Sequence, residues 1–255
     1  MASVEEELAK FSPITLEEMS AVKLMNRIDT KYLACRSRLP EILSYLTENY
    51  FVQENAGKRI AHYNTLYYDT PDAKMYVAHH DRKLTRQKLR ARIYCDTGAA
   101  FCEIKNKNNK KRTKKKRIPI EIEQFDNMLA YDAARTFVTE KLHYEVSSLI
   151  PQLENEFDRI TLVNKGRTER LTIDTHIRFV NRHTGQSAEV PDLVIIELKQ
   201  DGNIPSFFKK VLLDLRIKPK RISKYCLGTV LTNPTVKTNR FKRKIRYINK
   251  LSQNN

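Results

Sequence analysis

Polar and apolar side chains alternate along several segments, most clearly in RQKLRARIYC, residues 86–95. Cations take every second position there, and these are Lys88, Arg90 and Arg92. Side chains two residues apart share one face of a β-strand, so the alternation predicts a strand with one cationic and one apolar face. The same criterion predicts strands over residues 61–70, 87–95, 100–107, 117–123, 156–163, 169–180 and 192–200.

Helical spacing and capping residues predict helices between these strands. The predicted helices cover residues 15–27, 38–50, 70–81, 127–155 and 205–217, with a further helix from Ser223. There is no internal repeat and no linker long enough to divide the chain. We therefore predict one α+β domain over residues 1–255, with a largely antiparallel sheet. Its core spans about residues 20–232, and a basic tail follows over residues 233–255.

The polar faces of four predicted strands carry more cations than a solvated face normally does. They comprise Lys88, Arg90 and Arg92; Glu103, Lys105 and Lys107; Arg170, Thr172, Asp174, His176 and Arg178; and Glu197 and Lys199. Each face alone is explained by exposure to water. However, the apolar stripes of the helices need a sheet surface to cover, which would place the apolar strand faces outside and the cationic faces inside.

An enclosed cluster of cations has a physical cost. Two like charges 4 Å apart repel by about 4 kcal/mol at an effective dielectric constant of 20, so such a cluster is not explained by stability. Arginine and lysine side chains suit phosphate oxygens. Glu103 and Glu197, each two residues before a lysine, would repel phosphate unless a divalent metal lay between, although an ordinary Glu–Lys pair also explains them.

Composition agrees with a polyanionic partner. The net charge is +17 and the pI is about 9.7. The four cysteines form no CxxC pair, which is typical of a reducing compartment. The acidic N-terminus lacks an apolar run and no segment has the roughly 20 apolar residues of a membrane span, so we expect a cytoplasmic protein. With six glycines and no P-loop, phosphate binding must come from side chains.

Seven segments together resemble the VTC domain, the polyphosphate polymerase module of the triphosphate tunnel metalloenzymes. They are NRIDTKYL, KLRARIY, FCEIKNK, EFDRITL, ERLTID, VIIELK and RISKYCLG, within about residues 20–232. The resemblance implies a closed antiparallel β-barrel tunnel of about eight strands, with helices packed outside. It also implies transfer of the ATP γ-phosphate to a growing polyphosphate chain, with Mn²⁺ or Mg²⁺ as cofactor.

The resemblance also implies roles for individual residues. The catalytic set is Arg90, Arg92, Lys199 and Glu197. Glu197 would bind the metal, and Glu103 is the second candidate. The phosphate-binding set, in which Lys88 rests on the strand alternation, is Lys31, Lys88, Lys105, Lys115, Arg117, Arg159, Arg170, Arg221 and Lys224. Arg221 takes a position where lysine is usual.

One departure bears on the reaction. Hydrolytic tunnel enzymes carry an ExExK pattern on their first strand, whereas this chain has NRIDTKY, with Asp29. That favours a polymerase over a metal-dependent tunnel triphosphatase. A non-catalytic binder of polyphosphate or nucleic acid is the third alternative. The strands show few aromatic residues interleaved with cations, so no specific nucleic acid is expected. The expected partners are ATP and polyphosphate, with a membrane partner and the oligomeric state left open.

Expectations also follow for three further features. Residues 105–117 contain nine basic residues out of thirteen and form either a solvated loop, as expected for Lys110, Lys111 and Arg112, or a basic mouth that guides polyphosphate. Among the histidines, only His176 is a candidate ligand contact. Tyr67, Tyr68 and Asp69 are expected to pack or to close a turn.

Overall fold

The alternating segments form one curled sheet in a computed structural model that describes residues 2–20, 27–110 and 112–253. The strands of these residues are β1 (Ser12–Ile14), β2 (Arg27–Cys35), β3 (Tyr50–Gln53), β4 (Ala61–Asp69), β5 (Arg86–Tyr94), β6 (Ala99–Lys107), β7 (Thr113–Ile120), β8 (Ile150–Asn164), β9 (Glu169–Asn181), β10 (Ser187–Val190) and β11 (Leu193–Asp201). The α-helices are α1 (Val4–Ala9), α2 (Leu16–Ser20), α3 (Leu39–Ser44), α4 (Lys74–His80), α5 (Asp132–Lys141), α6 (Phe207–Asp214), α7 (Lys224–Thr232) and α8 (Lys242–Gln253).

The main path of the sheet is antiparallel, in the order β2-β11-β9-β8-β4-β5-β6-β7. The predicted closed barrel is wrong: within the described residues β2 and β7 are not paired, so the sheet is a half-barrel. Each of these two edge strands has a physical reason not to pair with the other. The β7 edge is rich in exposed lysines, which oppose strand pairing. On β2, the Lys31 carbonyl accepts from the Lys220 N–H at 2.8 Å.

Apolar strand faces on the convex side are covered by helices, as predicted. Leu171 and Ile173 of β9 lie in a core cluster with residues of α1, α3 and α6. Leu89 and Ala91 of β5 lie in a second cluster with residues of α5. Helices α1, α3, α5 and α6 therefore pack outside the sheet and leave the cationic faces of the strands on the concave side.

One end of the concave side is apolar and is filled by α7. Leu33 of β2 and Phe179 of β9 pack there with Leu227 of α7 and Ile248 of α8. The approach is close at Gly228, where an added Cβ atom would lie 2.4 Å from the Phe179 ring and 2.7 Å from Leu153. Glycine is required at this position because any side chain would push α7 off the sheet.

A β-bulge inverts the alternation of β9. The register shifts between Glu156 and Asp158 of the neighbouring strand, and His176 has a left-handed backbone with φ of 48°. Beyond this point Ile177 and Phe179 enter the concave core, while His176 is exposed, with its Nδ1 atom 2.8 Å from Asp158 Oδ2. His176 therefore does not lie on the groove face that its place in the alternation predicts.

Several element bounds differ from the predictions. The helix expected over residues 127–155 is confined to Asp132–Lys141, because residues 150–155 already belong to β8. In the helix expected over 15–27, residues 21–26 lie outside the described residues, and Arg27 begins β2. The predicted tail contains α8, whose Ile248 is buried in the core. Among the described helices, none combines the length and the apolar content needed to cross a lipid bilayer.

Candidate functional site

The concave face collects the predicted cations into one surface, which we call the basic groove. Strand register places them together: Lys88 lies opposite Lys105, Arg90 opposite Glu103, and Lys199 opposite Arg170. Lys224 enters from the first turn of α7. The cations of the basic groove are Lys31, Lys88, Arg90, Arg92, Lys105, Lys115, Arg117, Arg159, Arg170, Lys199 and Lys224. Arg221 lies exposed on the segment before α7, and its phosphate-binding role stays a prediction.

Two carboxylates predicted as metal ligands also lie in the groove, each between two cations. Glu103 is completely buried and accepts from Arg90 Nε at 2.8 Å and from Lys115 Nζ at 2.9 Å. Burial raises the pKa of Glu103, but Arg90, Arg92 and Lys115 outweigh burial and hold it well below its usual range. Glu103 is therefore an ionised partner of fixed cations.

Glu197 is the more accessible carboxylate. Its oxygens lie 3.1 Å from Lys199 Nζ and 3.5 Å from Lys31 Nζ, and its side chain keeps 21% of its exposure. No group of three or more Asp, Glu, His or Cys side chains that could hold a metal occurs among the described residues. A single carboxylate still fits Mg²⁺, which is commonly bound by one or two carboxylates and completed by substrate phosphates and water. Of the two predicted ligands, Glu197 fits this role better than Glu103.

Asp174 is a third groove carboxylate, and it was not among the predicted site residues. Arg159 donates to it from Nε at 2.6 Å and from a terminal guanidinium nitrogen at 2.8 Å, and Lys224 Nζ forms a further ion pair. The pKa of Asp174 is low because these two cations outweigh the effect of burial. The alternation along β9 predicts on which face of the strand Asp174 lies. The two cations that pair with Asp174, however, come from β8 and α7.

Five groove cations have no carboxylate partner within 4 Å among the described residues: Lys88, Arg92, Lys105, Arg117 and Arg170. Lys88 donates to Ser223 Oγ at 2.8 Å, and Arg92 donates to Thr65 Oγ1 at 3.0 Å. The Nε atom of Arg170 is buried and lacks a hydrogen-bond acceptor. A bound anion would supply what these side chains lack, and phosphate oxygens match both charge and geometry.

Aromatic rings accompany the groove cations, contrary to the prediction of few interleaved aromatic residues. The rings of Tyr63 and Phe157 stack with centroids 5.2 Å apart. The guanidinium groups of Arg92 and Arg159 lie 5.0–5.7 Å from these ring centroids. The aromatic faces are thus occupied by cations of the chain itself, which orients the guanidiniums and leaves these rings unsuited to stacking nucleic-acid bases.

Two residues expected to be structural have different roles. The Tyr67 hydroxyl lies 3.4 Å from a guanidinium nitrogen of Arg90, and nearby cations lower the pKa of Tyr67 although burial opposes them. Tyr67 is therefore part of the groove. Asp69 accepts from the backbone N–H groups of Met75 and Tyr76 at the start of α4, which confirms that it closes a turn.

Family comparison gives this groove its context. A family model described as the VTC domain matches residues 26–233. The chain belongs to the VTC domain family. The resemblance drawn from the seven sequence segments is thereby confirmed. VTC membership supports an enzyme that acts on phosphates, with a polyphosphate- or triphosphate-related function in a tunnel-type fold.

One solved structure supports the fold of this VTC domain, and a second is less similar. A "putative adenylate cyclase" from Bacillus halodurans is 14% identical and aligns over 86% of this chain and 100% of its own, with a TM-score of 0.53. A "putative adenylyl cyclase" from Hippeastrum, described as having a dominant triphosphatase activity, is 11% identical over 81% and 96% of the two chains, with a TM-score of 0.49. No curated protein matches the chain significantly.

The groove predicts a rise in stability with pH when no anion is bound. Repulsion from Arg90, together with burial, lowers the pKa of Lys105 well below its ordinary value. The unfolded chain then keeps this proton to a higher pH than the folded protein, so the free energy of unfolding should rise as the pH increases towards the ordinary lysine pKa of about 10.4.

Urea unfolding at neutral pH and at a pH close to the ordinary lysine pKa measures this effect. Lys105→Met should remove part of the rise, whereas Lys165→Met, at an exposed turn, should leave the rise unchanged. An equal rise in the wild type and both variants would show that the enclosed lysine does not carry it.

Proposed function

We propose that this VTC domain is an ATP-dependent polyphosphate polymerase. In the proposed reaction, a terminal oxygen of the polyphosphate chain attacks the γ-phosphorus of ATP. The new P–O bond forms as the bond from the γ-phosphorus to the bridging oxygen breaks, and ADP leaves with that oxygen. The observation that supports this proposal is the set of buried and half-buried groove cations that lack a carboxylate partner among the described residues.

The groove residues divide into two kinds by their contacts. Arg90, Arg159 and Lys224 are held by Glu103 or Asp174, so their positions are fixed before substrate binds. Arg92, Lys105 and Arg170 have no carboxylate partner within 4 Å among the described residues and lie on three different strands of the concave face, so their charge is available to phosphate oxygens. Positioning and charge neutralisation are the main requirements of phosphoryl transfer.

Mn²⁺ or Mg²⁺ is the proposed cofactor, with Glu197 as the residue of this chain that would hold it. When bound, the ion would neutralise negative charge on the phosphates of ATP. Lys31 and Lys199 flank the same carboxylate and would contact phosphate oxygens beside it. ATP and polyphosphate are the proposed partners, and the cytoplasm is the proposed compartment.

A tunnel triphosphatase is the second candidate, because the open edge between β2 and β7 leaves a route for water into the groove. Incubation with ATP and Mn²⁺ or Mg²⁺, with separation of ADP, phosphate and polyphosphate, distinguishes the two. The polymerase produces ADP together with chains longer than triphosphate. Release of phosphate without chain growth would replace it with the triphosphatase. In the same assay, the variant Arg167→Gln, which removes a cation from an exposed turn outside the basic groove, is the surface control.

A further inference from the structure

The C-terminal part of the chain is far more basic than the rest. From Leu215 to Asn255 it contains twelve lysine and arginine residues and no aspartate or glutamate. Only one of these twelve, Lys224, lies in the basic groove. The remaining charge accounts for a large part of the net charge of +17 and lies outside the site already described.

Helix α8 directs its apolar side chains into the protein and leaves basic side chains exposed on its other side. Its apolar residues Ile245, Ile248 and Leu251 pack into the core cluster beneath α7. Four of its exposed positions are cationic, Lys242, Arg243, Arg246 and Lys250, and the other exposed positions are uncharged. Together with neighbouring exposed residues these four cations form what we call the C-terminal basic surface. Its members are Lys218, Lys220, Arg221, Lys237, Arg240, Lys242, Arg243, Arg246 and Lys250.

The charge of this surface is almost uncompensated. Within the described residues its one ion pair joins Lys237 Nζ to Asp81 at 3.8 Å. Exposed cations elsewhere are more often paired, as Lys58 is with Asp96 at 3.0 Å. A dense field of one sign on one side of a protein attracts extended polyanions.

The C-terminal basic surface is continuous with the basic groove. The backbone N–H of Lys220 donates to the carbonyl of Lys31, a groove residue, at 2.8 Å. The ammonium of the same Lys220 lies 4.6 Å from the ring centroid of Tyr247 on α8. Arg221 precedes the groove residue Lys224 by three positions. A polyanion leaving the groove beside β2 would thus meet this surface first.

The chemistry of the surface favours a phosphate chain over a membrane or a nucleic acid. The apolar side of α8 is turned into the protein core, so α8 has no apolar face to insert between lipids. Single-stranded nucleic acids are bound by stacking on exposed aromatic rings. Here Phe241 is buried, and Tyr247 lies beneath Lys220. The C-terminal basic surface therefore offers cations but no exposed aromatic ring on which bases could stack.

We propose that the C-terminal basic surface binds the part of a polyphosphate chain that extends beyond the basic groove. This inference rests on the proposed function, since it assigns the surface to the same substrate. The surface would retain long chains between additions, whereas a triphosphate held in the groove would not reach it. Chain length should therefore decide whether the surface contributes to affinity.

A variant with four substitutions tests this proposal: Lys242→Gln, Arg243→Gln, Arg246→Gln and Lys250→Gln. The matched control removes the same charge from exposed positions elsewhere, with Arg36→Gln, Lys165→Gln, Arg167→Gln and Lys210→Gln. Thermal melting and circular dichroism establish that both are folded. Binding of long-chain polyphosphate and of tripolyphosphate is then measured over a range of salt concentrations.

We expect the α8 variant to bind long-chain polyphosphate about tenfold or more weaker than the control, with a smaller salt dependence, because fewer cations contact the chain. Its tripolyphosphate affinity should equal that of the control. Equal loss in the two variants, or no loss in either, would overturn the proposal. A wild-type preference for anionic lipid vesicles or single-stranded RNA over long-chain polyphosphate would also overturn it. Failure of the wild type to bind tripolyphosphate would instead refute the proposed function.

Discussion

Replacing Arg92 with alanine is expected to lower turnover roughly 10- to 150-fold while the protein stays folded. A hydrogen bond to a charged group contributes about 1.5–3 kcal/mol, and each 1.36 kcal/mol corresponds to a tenfold change in rate. Arg92 is buried, with 7% exposure, and has no carboxylate partner among the described residues, so its charge is free for phosphate. Removing it also relieves repulsion from Arg90 and Arg159, so Tm should hold or rise.

Arg90→Ala is the informative comparison, because the structure separates two side chains that look equivalent in the sequence. Turnover should fall in this variant too. However, Arg90 neutralises the buried carboxylate of Glu103, so its loss should lower Tm. Steady-state kinetics at saturating ATP and thermal melting measure both effects. Near wild-type turnover in both variants would exclude the basic groove as the active site.

Replacing Glu197 with glutamine is expected to separate binding from turnover. The amide keeps the shape of the side chain but removes its charge, so affinity for metal-free tripolyphosphate should hold or rise. Turnover should collapse, because the proposed metal ligand is lost. Lys31 and Lys199 lose a shared partner, so the thermal shift produced by tripolyphosphate should be larger than in the wild type.

Glu103→Gln is the control for this experiment, since Glu103 is the other groove glutamate and has no exposure. It should lower Tm more than Glu197→Gln, because it leaves Arg90 and Lys115 without their carboxylate. Retention of activity and of Mn²⁺ dependence in Glu197→Gln would show that Glu197 only pairs with lysines. In that case Glu103 becomes the candidate metal ligand.

The sequence by itself determined the two faces of most strands. Arg90, Arg92, Glu103 and Lys105 lie on the face that their alternation predicts, because the period of two is a property of the extended backbone. The position of α1, α3, α5 and α6 outside the sheet was also predictable, since their apolar stripes required the apolar strand faces, whereas the place of α7 on the concave side was not. The family resemblance likewise rested on local segments and was confirmed over residues 26–233.

Only the tertiary structure decided which charges meet and how far the sheet closes. Asp174 pairs with Lys224, fifty residues away, because α7 enters the concave side at Gly228. The bulge in β9 removed His176 from the groove, and the capped edge of β2 left the barrel open. These outcomes depend on register, curvature and contacts between distant segments. Alternation along one strand fixes a side chain's face, but its partners are fixed by whichever strand or helix the fold brings opposite.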